Sequence, residues 1–290
     1  MAPPLSNGGS QAKPATGRSR NYAGCVDDHR AWLAGVFDRA APTYDRIGGA
    51  YHGYFAGRLL DLAALPRDAH LLDIACGRGA VLLAAAARGI DRLTGIDVSP
   101  TMIELAGADL REAGIAEVDL RVMDAEHMEF SDAGFDVLTA AFALFFLPDP
   151  ARAAAGFQRV LRPGGVIAVS TWGEEDNRWT FEDDLLADAD TPRLRALQRP
   201  FDRAEDVTDL LSRAAFTELQ AHQEETEIQF ASKQEWWDWR WSFSGRGLLE
   251  QLAPEALVAY RDACFREMDA LRTAEGYPLR LTALIVTGRK

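Results

Sequence analysis

The chain has 290 residues, of which 48% are hydrophobic, so it is long enough for one large or two small domains with a substantial core. Its formal net charge of -13 at pH 7 argues against nucleic acid and anionic membranes as partners, because both are bound by clustered Lys and Arg side chains. Three widely separated cysteines without C-x-x-C spacing indicate neither a disulfide framework nor a metal site, and they fit a cytoplasmic protein.

The N-terminal part of the chain changes character near residue 21. Residues 1–20 are rich in Pro, Gly, Ser and Ala without an apolar centre, which predicts a flexible tail rather than a signal peptide. Residues 21–65 predict a cap of two or three helices, because apolar residues recur at helical spacing in DDHRAWLAGVFDRAA and YFAGRLLDLAAL.

From residue 66 onward, short apolar runs alternate with helical stretches. Strands that alternate with helices need crossover connections, so the pattern predicts a doubly wound α/β domain with a parallel sheet covered on both faces. The predicted strands are His70–Ile74, Leu93–Asp97, Asp119–Met123, Phe135–Ala140 and Gly165–Thr171, and the predicted helices are Gly79–Ala87, Pro100–Ala113 and Ala151–Leu161. LRPGG (Leu161–Gly165) predicts a turn before the last of these strands.

The C-terminal part mixes helical and strand patterns. Helices are predicted within residues 192–201 and 203–216, an antiparallel strand at Thr217–Phe230, and a closing strand at Leu279–Lys290. A domain of residues 66–290 would then carry helical lid insertions at about residues 174–216 and 232–276. Long insertions inside a sheet usually carry something functional.

The loop DIACGRGA follows the first predicted strand and suggests a nucleotide site. Gly77 and Gly79 let a ligand approach the backbone closely, and the next helix points free N–H groups at the same place. With only two glycines, the loop matches the pyrophosphate fingerprint poorly, which weakens the alternative of an NAD-dependent oxidoreductase. Asp73, Asp97 and Asp124 end three successive strands, and carboxylates there suit ribose hydroxyls and an adenine amino group. The pattern predicts a site for a cationic nucleoside without phosphates.

Several segments, taken in order, resemble a known family. LLDIACGRGAVLLAAAARG, LTGIDVSPTMIELA, VMDAEHMEF and FDVLTAAFALFFLPDPARAAAGFQRVLRPGGVIAVSTW are similar to the successive motifs of the class I S-adenosylmethionine-dependent methyltransferases. VFDRAAPTYDRIG resembles the N-terminal segment of the quinone-biosynthesis branch, so the similarity covers roughly residues 36–172. The resemblance implies a Rossmann-like, mostly parallel sheet with an antiparallel closing strand, and S-adenosylmethionine as the cofactor, with S-adenosylhomocysteine as its product.

The resemblance also implies which residues bind the donor. Asp97 would hold the ribose diol, Asp124 would face the adenine ring, and Tyr44 would close over the methionine moiety. Cys76 is interpreted as a small apolar filler in the glycine loop. The complete set implied by the family is Tyr44, Asp73, Ala75, Cys76, Gly77, Gly79, Asp97, Val98, Met102, Asp124, Ala125, Ala141 and Phe142.

The acceptor is less well defined by the sequence. Methyl transfer from a sulfonium needs a general base only when the nucleophile arrives protonated and weakly acidic. In the resembling branch the loop after the fourth strand often carries histidine, whereas here it reads Phe145 and Phe146. His52 is therefore the candidate catalytic base, with His127 a weaker one, and a surface or packing role is the alternative for both.

WWDWRWSF supplies the remaining candidate acceptor residues. At helical spacing Trp236, Trp239 and Phe243 share one face next to Arg240, which indicates either a lid helix packed on the core or an aromatic wall for a planar or isoprenoid acceptor. With Phe145 and Phe146, these are the predicted substrate-binding residues. The sequence thus favours C- or O-methylation of a bulky, largely apolar small molecule, such as a secondary metabolite or a quinone-like compound. A cyclisation or rearrangement on the same fold, a donor sensor, and a homo-oligomeric state stay open.

Overall fold

The computed structural model describes residues 22–187 and 201–290. The predicted tail, and the helix predicted within residues 192–201 except for its last residue, lie outside the described residues. None of the helices in the described ranges combines the length and the apolar composition that crossing a membrane requires.

A seven-stranded sheet forms the centre of the molecule. Its strands are β1 (His70–Ile74), β2 (Arg92–Asp97), β3 (Val118–Val122), β4 (Phe135–Ala141), β5 (Leu161–Trp172), β6 (Thr217–Phe230) and β7 (Tyr277–Arg289). The order across the sheet is β3-β2-β1-β4-β5-β7-β6, and the neighbours from β3 to β5 are all parallel. β7 runs antiparallel to both β5 and β6. The predicted Rossmann-like fold with an antiparallel closing strand is confirmed.

Helices precede the sheet, connect its strands and form the insertions. They are α1 (Tyr22–Ala40), α2 (Tyr51–Ala63), α3 (Ala80–Ala86), α4 (Pro100–Glu112), α5 (Pro150–Val160), α6 (Phe181–Ala187), α7 (Ala204–Arg213), α8 (Lys233–Arg240), α9 (Arg246–Leu249) and α10 (Pro254–Glu267). Two crossover helices begin at a polar cap followed by proline: the Ser99 hydroxyl accepts from the Met102 nitrogen, and the Asp149 carboxylate from the Arg152 nitrogen. These caps fix where the chain leaves the strand ends.

Both faces of the sheet are buried. Side chains alternate across a strand, so Leu71 and Leu72 belong to different apolar clusters. α2 and α3 cover the Leu71 face, where Leu60 and Leu82 are buried, and α5 covers the Leu72 face with the buried Phe157. This two-sided burial explains why β1 and β4 read as nearly continuous apolar runs.

A third apolar cluster forms in the helical insertions. It joins α6, α8 and α10 to the adjoining ends of β6 and β7, and it is rich in aromatic side chains such as Trp179, Phe230 and Trp236. Phe142, which follows β4, also belongs to this cluster. The insertions therefore pack against the end of the sheet where the strands β1 to β4 finish.

The start of β5 differs from the prediction. α5 ends at Val160 and β5 begins at Leu161, four residues before the predicted Gly165. Leu161 pairs with Phe135, and the register then shifts so that Val166 pairs with Val137. The predicted turn is a bulge within the strand, made possible by Gly164 at φ +75°.

Candidate functional site

A pocket opens at the carboxyl ends of the parallel strands. All parallel strands finish at the same edge, so the residues that follow β1, β2, β3 and β4 meet there. The pocket has about 780 Å³ of unfilled space, a volume that includes open solvent at its mouth. Most of the predicted donor residues line it, namely Tyr44, Ala75, Gly77, Asp97, Val98, Met102, Asp124, Ala125, Ala141 and Phe142.

Three predicted donor residues lie behind the pocket wall. The Asp73 side chain is 1% exposed and accepts a hydrogen bond of 2.7 Å from the Thr139 hydroxyl. Burial raises the pKa of Asp73 to about 7. Cys76 packs in the apolar cluster under α3, and Gly79, at φ +84°, forms the N-cap of that helix. These residues shape the glycine loop from beneath.

Asp97 lies at the end of β2 and faces the pocket. Its Oδ2 atom accepts from the Gly77 backbone nitrogen and its Oδ1 atom from the Ser99 backbone nitrogen, both at 2.9 Å. Burial raises the pKa of Asp97 to about 6, although these two N–H groups favour the ionised form. A carboxylate has about four lone-pair sites, so Asp97 keeps accepting capacity for further donors.

Left-handed backbone occurs at two non-glycine residues of the pocket wall. Ala75, after β1, has φ +53°, and Phe142, after β4, has φ +52°. This region costs an L-residue of order 1–3 kcal/mol and is found preferentially at functional sites. The strain lies where the chain turns sharply from a strand end into the pocket wall.

Helix α1 forms one side of the pocket, which the sequence did not reveal. Arg30, Leu33 and Phe37 recur at spacings of three and four residues, so they share one helix face. α1 is held in place by Asp38, whose Oδ1 atom accepts from the Ser99 hydroxyl at 2.5 Å. The helical spacing of these three residues predicts that they share one face of α1, but it does not predict which part of the protein that face contacts. The other lining residues missed from the sequence are Met123, Ala143, Leu147 and Pro148.

An ion-pair network forms the rim beside α1. The Arg30 guanidinium pairs with Asp124, with Nε 3.2 Å from Oδ2, and with Glu126. His127 belongs to the same network, because its Nδ1 atom lies 2.7 Å from the same Asp124 Oδ2 atom. The acidic and histidine side chains are close enough together to share a cation, and the Arg30 guanidinium supplies positive charge to both carboxylates.

His52 lies next to the pocket and contacts it through Tyr44. The Nε2 atom of His52 is 3.1 Å from the Tyr44 hydroxyl, and its Nδ1 atom is 3.0 Å from Oδ1 of Asp45. The His52 and Tyr44 rings are stacked with centroids 4.9 Å apart, and the Phe142 ring lies edge-on to His52 at 5.9 Å. His52 is thus one side chain removed from the pocket wall, and its partner Asp45 was not indicated by any sequence pattern.

The predicted acceptor residues divide into two groups. Phe146 lines the pocket and contacts Phe37 edge-on, with ring centroids 5.2 Å apart, whereas Phe145 packs against the cluster of the insertions. The α8 side chains lie deeper. Trp236 has no exposed surface and donates from Nε1 to Glu182 at 3.2 Å.

The other candidates lie in α8 or just after it and also pack among the insertions. The Trp239 and Phe243 rings contact each other with centroids 4.5 Å apart, and Arg240 forms an ion pair of 3.1 Å with Glu182. Trp239 also reaches Tyr51, at 6.4 Å between ring centroids, beside His52. None of the four predicted residues lines the pocket, and the aromatic ones belong to the cluster that contains the lining residue Phe142, namely Trp236, Trp239 and Phe243 but not Arg240.

The sequence matches proteins of known family. The family model described as a methyltransferase domain matches residues 72–169. Over 273 residues the chain is 33% identical to nocamycin O-methyltransferase of Saccharothrix syringae, covering 88% of this chain and 97% of that protein. The chain belongs to the class I S-adenosylmethionine-dependent methyltransferases. The resemblance stated from the motifs is confirmed.

Other similarities of this methyltransferase are partial or more distant. It is 35% identical over 151 residues to demethylmenaquinone methyltransferase of Lactiplantibacillus plantarum, covering 50% of this chain and 64% of that protein. The solved structure of the [4+2]-cyclase SpnF has a TM-score of 0.50 and 23% identity, covering 81% of this chain and 80% of that one. The latter likeness shows a shared fold.

S-adenosylmethionine is the cofactor of this methyltransferase family, and the pocket fits it. Among the described residues Asp97 has no salt-bridge partner, although its carboxylate is buried. A buried carboxylate with spare lone pairs needs hydrogen-bond donors, which ribose hydroxyls supply. The neighbouring Val98, Met102 and Ala125 offer apolar surface for an adenine ring. The charge and shape of the wall therefore agree with a nucleoside donor.

Proposed function

We propose that this methyltransferase transfers a methyl group from S-adenosylmethionine to a bulky, largely apolar small molecule. The observation that carries the proposal is the contrast between two walls of one pocket. The wall at the strand ends presents the Asp97 carboxylate and the backbone of the glycine loop. The pocket is also lined by Phe37, Phe146, Leu147 and other apolar side chains, which offer contact area to an acceptor that water solvates poorly.

The relatives support the same substrate class. The names of two of them specify methyl transfer to nocamycin and to demethylmenaquinone, which are small molecules. Both names support a small-molecule acceptor for this chain. An O-methyltransferase is the relative that aligns over nearly its whole length, which favours oxygen over carbon as the methylated atom.

The proposed roles follow from the positions of the side chains. When bound, the donor supplies a methyl group already activated by its sulfonium charge. Asp97 holds the ribose hydroxyls, while Val98 and Met102 pack beside the adenine. Ala141 and Phe142 line the side of the pocket near the amino-acid end, and α1 excludes water from above. The protein thus acts mainly by alignment and desolvation.

Acceptor binding is assigned to the aromatic side of the pocket. Phe146 and Phe37 lie edge-on to each other and hold a wall that a planar ring can pack against. The predicted residues Trp236, Trp239, Arg240 and Phe243 fix this side from behind, through Tyr51 and the ring of Phe142. Substitutions in α8 are therefore expected to change acceptor affinity by shifting the aromatic side chains that line the pocket. They would not remove a direct contact with the acceptor.

The proposal is tested by following a labelled methyl group. The full-length protein is incubated with methyl-labelled S-adenosylmethionine and fractionated small-molecule extracts, products are read by mass spectrometry, and donor binding is measured by calorimetry. Label in an organic-soluble product, lost in Asp97→Ala and retained in the surface control Asp119→Ala, is the expected result. Donor binding without label in any fraction would contradict it and favour a cyclase or a sensor, since the [4+2]-cyclase shares the fold.

A further inference from the structure

A continuous chain of hydrogen bonds leads from the pocket wall into the segment between α1 and α2. The Tyr44 hydroxyl lies 3.1 Å from Nε2 of His52, and Nδ1 of His52 lies 3.0 Å from Oδ1 of Asp45. A carboxylate only accepts hydrogen bonds, so a neutral His52 ring in this position carries its hydrogen on Nδ1 and leaves Nε2 as an acceptor. Tyr44 must then donate its hydroxyl proton toward His52, and its oxygen lone pairs are left for a ligand in the pocket.

The chain is held rigidly and is largely shielded from water. The His52 side chain is 11% exposed and is flanked by the rings of Tyr44, Tyr51 and Phe142, with centroids 4.9, 4.2 and 5.9 Å from its own. Asp45 takes a left-handed backbone at φ +56°, which aspartate tolerates better than most residues. Orientation of this kind lowers the cost of proton transfer because no group has to be reorganised.

The remaining titratable groups of the pocket wall are engaged elsewhere. Among the described lining residues these are Arg30, Asp97 and Asp124. Asp97 accepts two backbone N–H groups, and Asp124 pairs with Arg30. Tyr44 itself stays protonated, because burial and the charges of Asp45 and Asp97 raise its pKa, so it relays a proton rather than keeping one. A proton leaving the acceptor therefore needs His52 as its final site.

We propose that Tyr44, His52 and Asp45 form a proton-accepting chain, and that the acceptor carries a hydroxyl that is protonated at neutral pH. This inference rests on the proposed function. The acceptor O–H bond breaks as its oxygen bonds to the methyl carbon, and the C–S electron pair stays on sulfur. The proton passes to the Tyr44 oxygen while the Tyr44 proton moves to Nε2 of His52. The imidazolium then lies against the Asp45 carboxylate, so Asp45 is a positioning residue.

The first test measures the tautomer and needs no acceptor. The full-length protein is labelled with ¹⁵N-histidine, loaded with S-adenosylhomocysteine and observed by long-range proton–nitrogen NMR at pH 8, with His52→Gln assigning the signals. We expect His52 to carry its hydrogen on Nδ1, and Tyr44→Phe to shift the Nε2 resonance. Asp45→Asn should populate the opposite tautomer, because an amide can donate to Nδ1. A wild-type ring with its hydrogen on Nε2 would overturn the proposal, since it could not accept the Tyr44 proton.

The second test measures transfer rates to the acceptor found in the labelled-methyl experiment. His52→Gln and Tyr44→Phe should slow transfer by about 10²- to 10⁴-fold, the usual range for a lost general base. Donor affinity of His52→Gln should stay within about two-fold of wild type, because His52 does not line the donor wall. His222→Gln and Tyr54→Phe, on β6 and on the exposed side of α2, are matched controls expected to keep the wild-type rate.

The outcomes separate the two proposals. Wild-type transfer that persists in His52→Gln, or label found on carbon, would overturn the proton-accepting chain and leave the methyl-transfer function intact. No transfer by the wild-type protein, despite donor binding, would overturn the proposed function and this inference with it.

Discussion

The backbone nitrogen of Gly77 lies 2.9 Å from Oδ2 of Asp97, so the acid that ends β2 also holds the loop that follows β1. The role proposed for Asp97 in donor binding is therefore twofold: direct hydrogen bonds to the ribose and control of the position of the glycine loop. Asp97→Ala should weaken donor binding by about 1.5 to 3 kcal/mol, the scale of charge-assisted hydrogen bonds. Calorimetry with S-adenosylhomocysteine measures the loss. Asp97→Asn, which keeps an oxygen for Gly77, should lose less, and unchanged affinity in a folded Asp97→Ala protein would refute the assignment.

Donor affinity should also depend on pH. Burial raises the pKa of Asp97 to about 6, and the hydrogen bonds proposed from the ribose hydroxyls are strongest to the ionised carboxylate. Affinity is therefore full above about pH 7 and falls as the pH drops through 6, by about ten-fold at pH 5, where roughly a tenth of the carboxylate is ionised. Calorimetry between pH 5 and 8 checks this. A wild-type profile as flat as that of Asp97→Asn would show that Asp97 does not control binding.

The pH dependence of stability should reveal Asp73. Its folded pKa of about 7 lies above the ordinary value of 3.8, so between these values the folded protein binds more protons than the unfolded chain. Stability attributable to Asp73 is thus present at low pH and is lost as the pH rises from about 4 to 7, by roughly 1 to 4 kcal/mol. Asp73→Asn, whose amide oxygen can still accept from Thr139, should flatten this part of the curve in urea titrations at pH 4.5 and 8. An unchanged pH slope would rule out Asp73 as the source.

Relief of backbone strain offers a stability test at Ala75. This residue has φ +53°, a conformation that glycine adopts without cost. Ala75→Gly should raise the free energy of unfolding by about 0.5 to 1 kcal/mol, because the strain relieved exceeds the added entropy of the unfolded chain. Ala84→Gly in the interior of α3 is the matched control and should cost about 1 kcal/mol. Equal losses in the two variants would mean that Ala75 is unstrained.

Variants of the ion pair between Arg240 and Glu182 test whether Arg240 has a structural role or binds the acceptor. Arg240 and Glu182 are each 12% exposed and lie 3.1 Å apart. Burial opposes the charge on Arg240, but the attraction of Glu182 outweighs it and raises the pKa of the guanidinium. Arg240→Met should cost about 3 to 5 kcal/mol because it leaves the buried Glu182 without a charged partner, whereas the double variant with Glu182→Gln should recover most of this loss. Thermal denaturation measures both.

Activity completes that comparison. If the double variant regains stability and has the wild-type KM for the acceptor, the role of Arg240 is structural alone. If the double variant regains stability but has a raised KM for the acceptor, Arg240 takes part in acceptor binding.

The parts of the fold that were predictable are those encoded by local periodicity. β6 begins and ends at Thr217 and Phe230 as predicted, because the alternation of polar and apolar residues persists along the whole strand. The start of β5 was missed because Leu161 belongs to the strand only through its pairing with Phe135 across a bulge. The pairing register of two strands that are distant in sequence cannot be predicted from a short window of residues.

The residues of the candidate site were likewise predictable where a local motif places them and unpredictable where their position depends on distant parts of the chain. Asp97 and Gly77 were predictable because the motif places both at strand ends that meet on one edge of the sheet. The contact of His52 with Asp45 was not, since it depends on a left-handed turn between two helices. The role of Arg30 was also hidden, because it depends on where α1 folds back over the pocket.

The order of the strands has a consequence for synthesis on the ribosome. β7 follows β6 in the chain but lies between β5 and β6 in the sheet, so β6 has no hydrogen-bonded neighbour until β7 has been translated. At about 5 to 20 residues per second, the helical insertion alone delays that partner by several seconds. Nascent chains halted after β6 should therefore expose a long unpaired edge that chaperones recognise. The strands β1 to β5, whose carboxyl ends form the pocket, can assemble first, and the edge that carries the helical insertion is completed only after β7 has been translated.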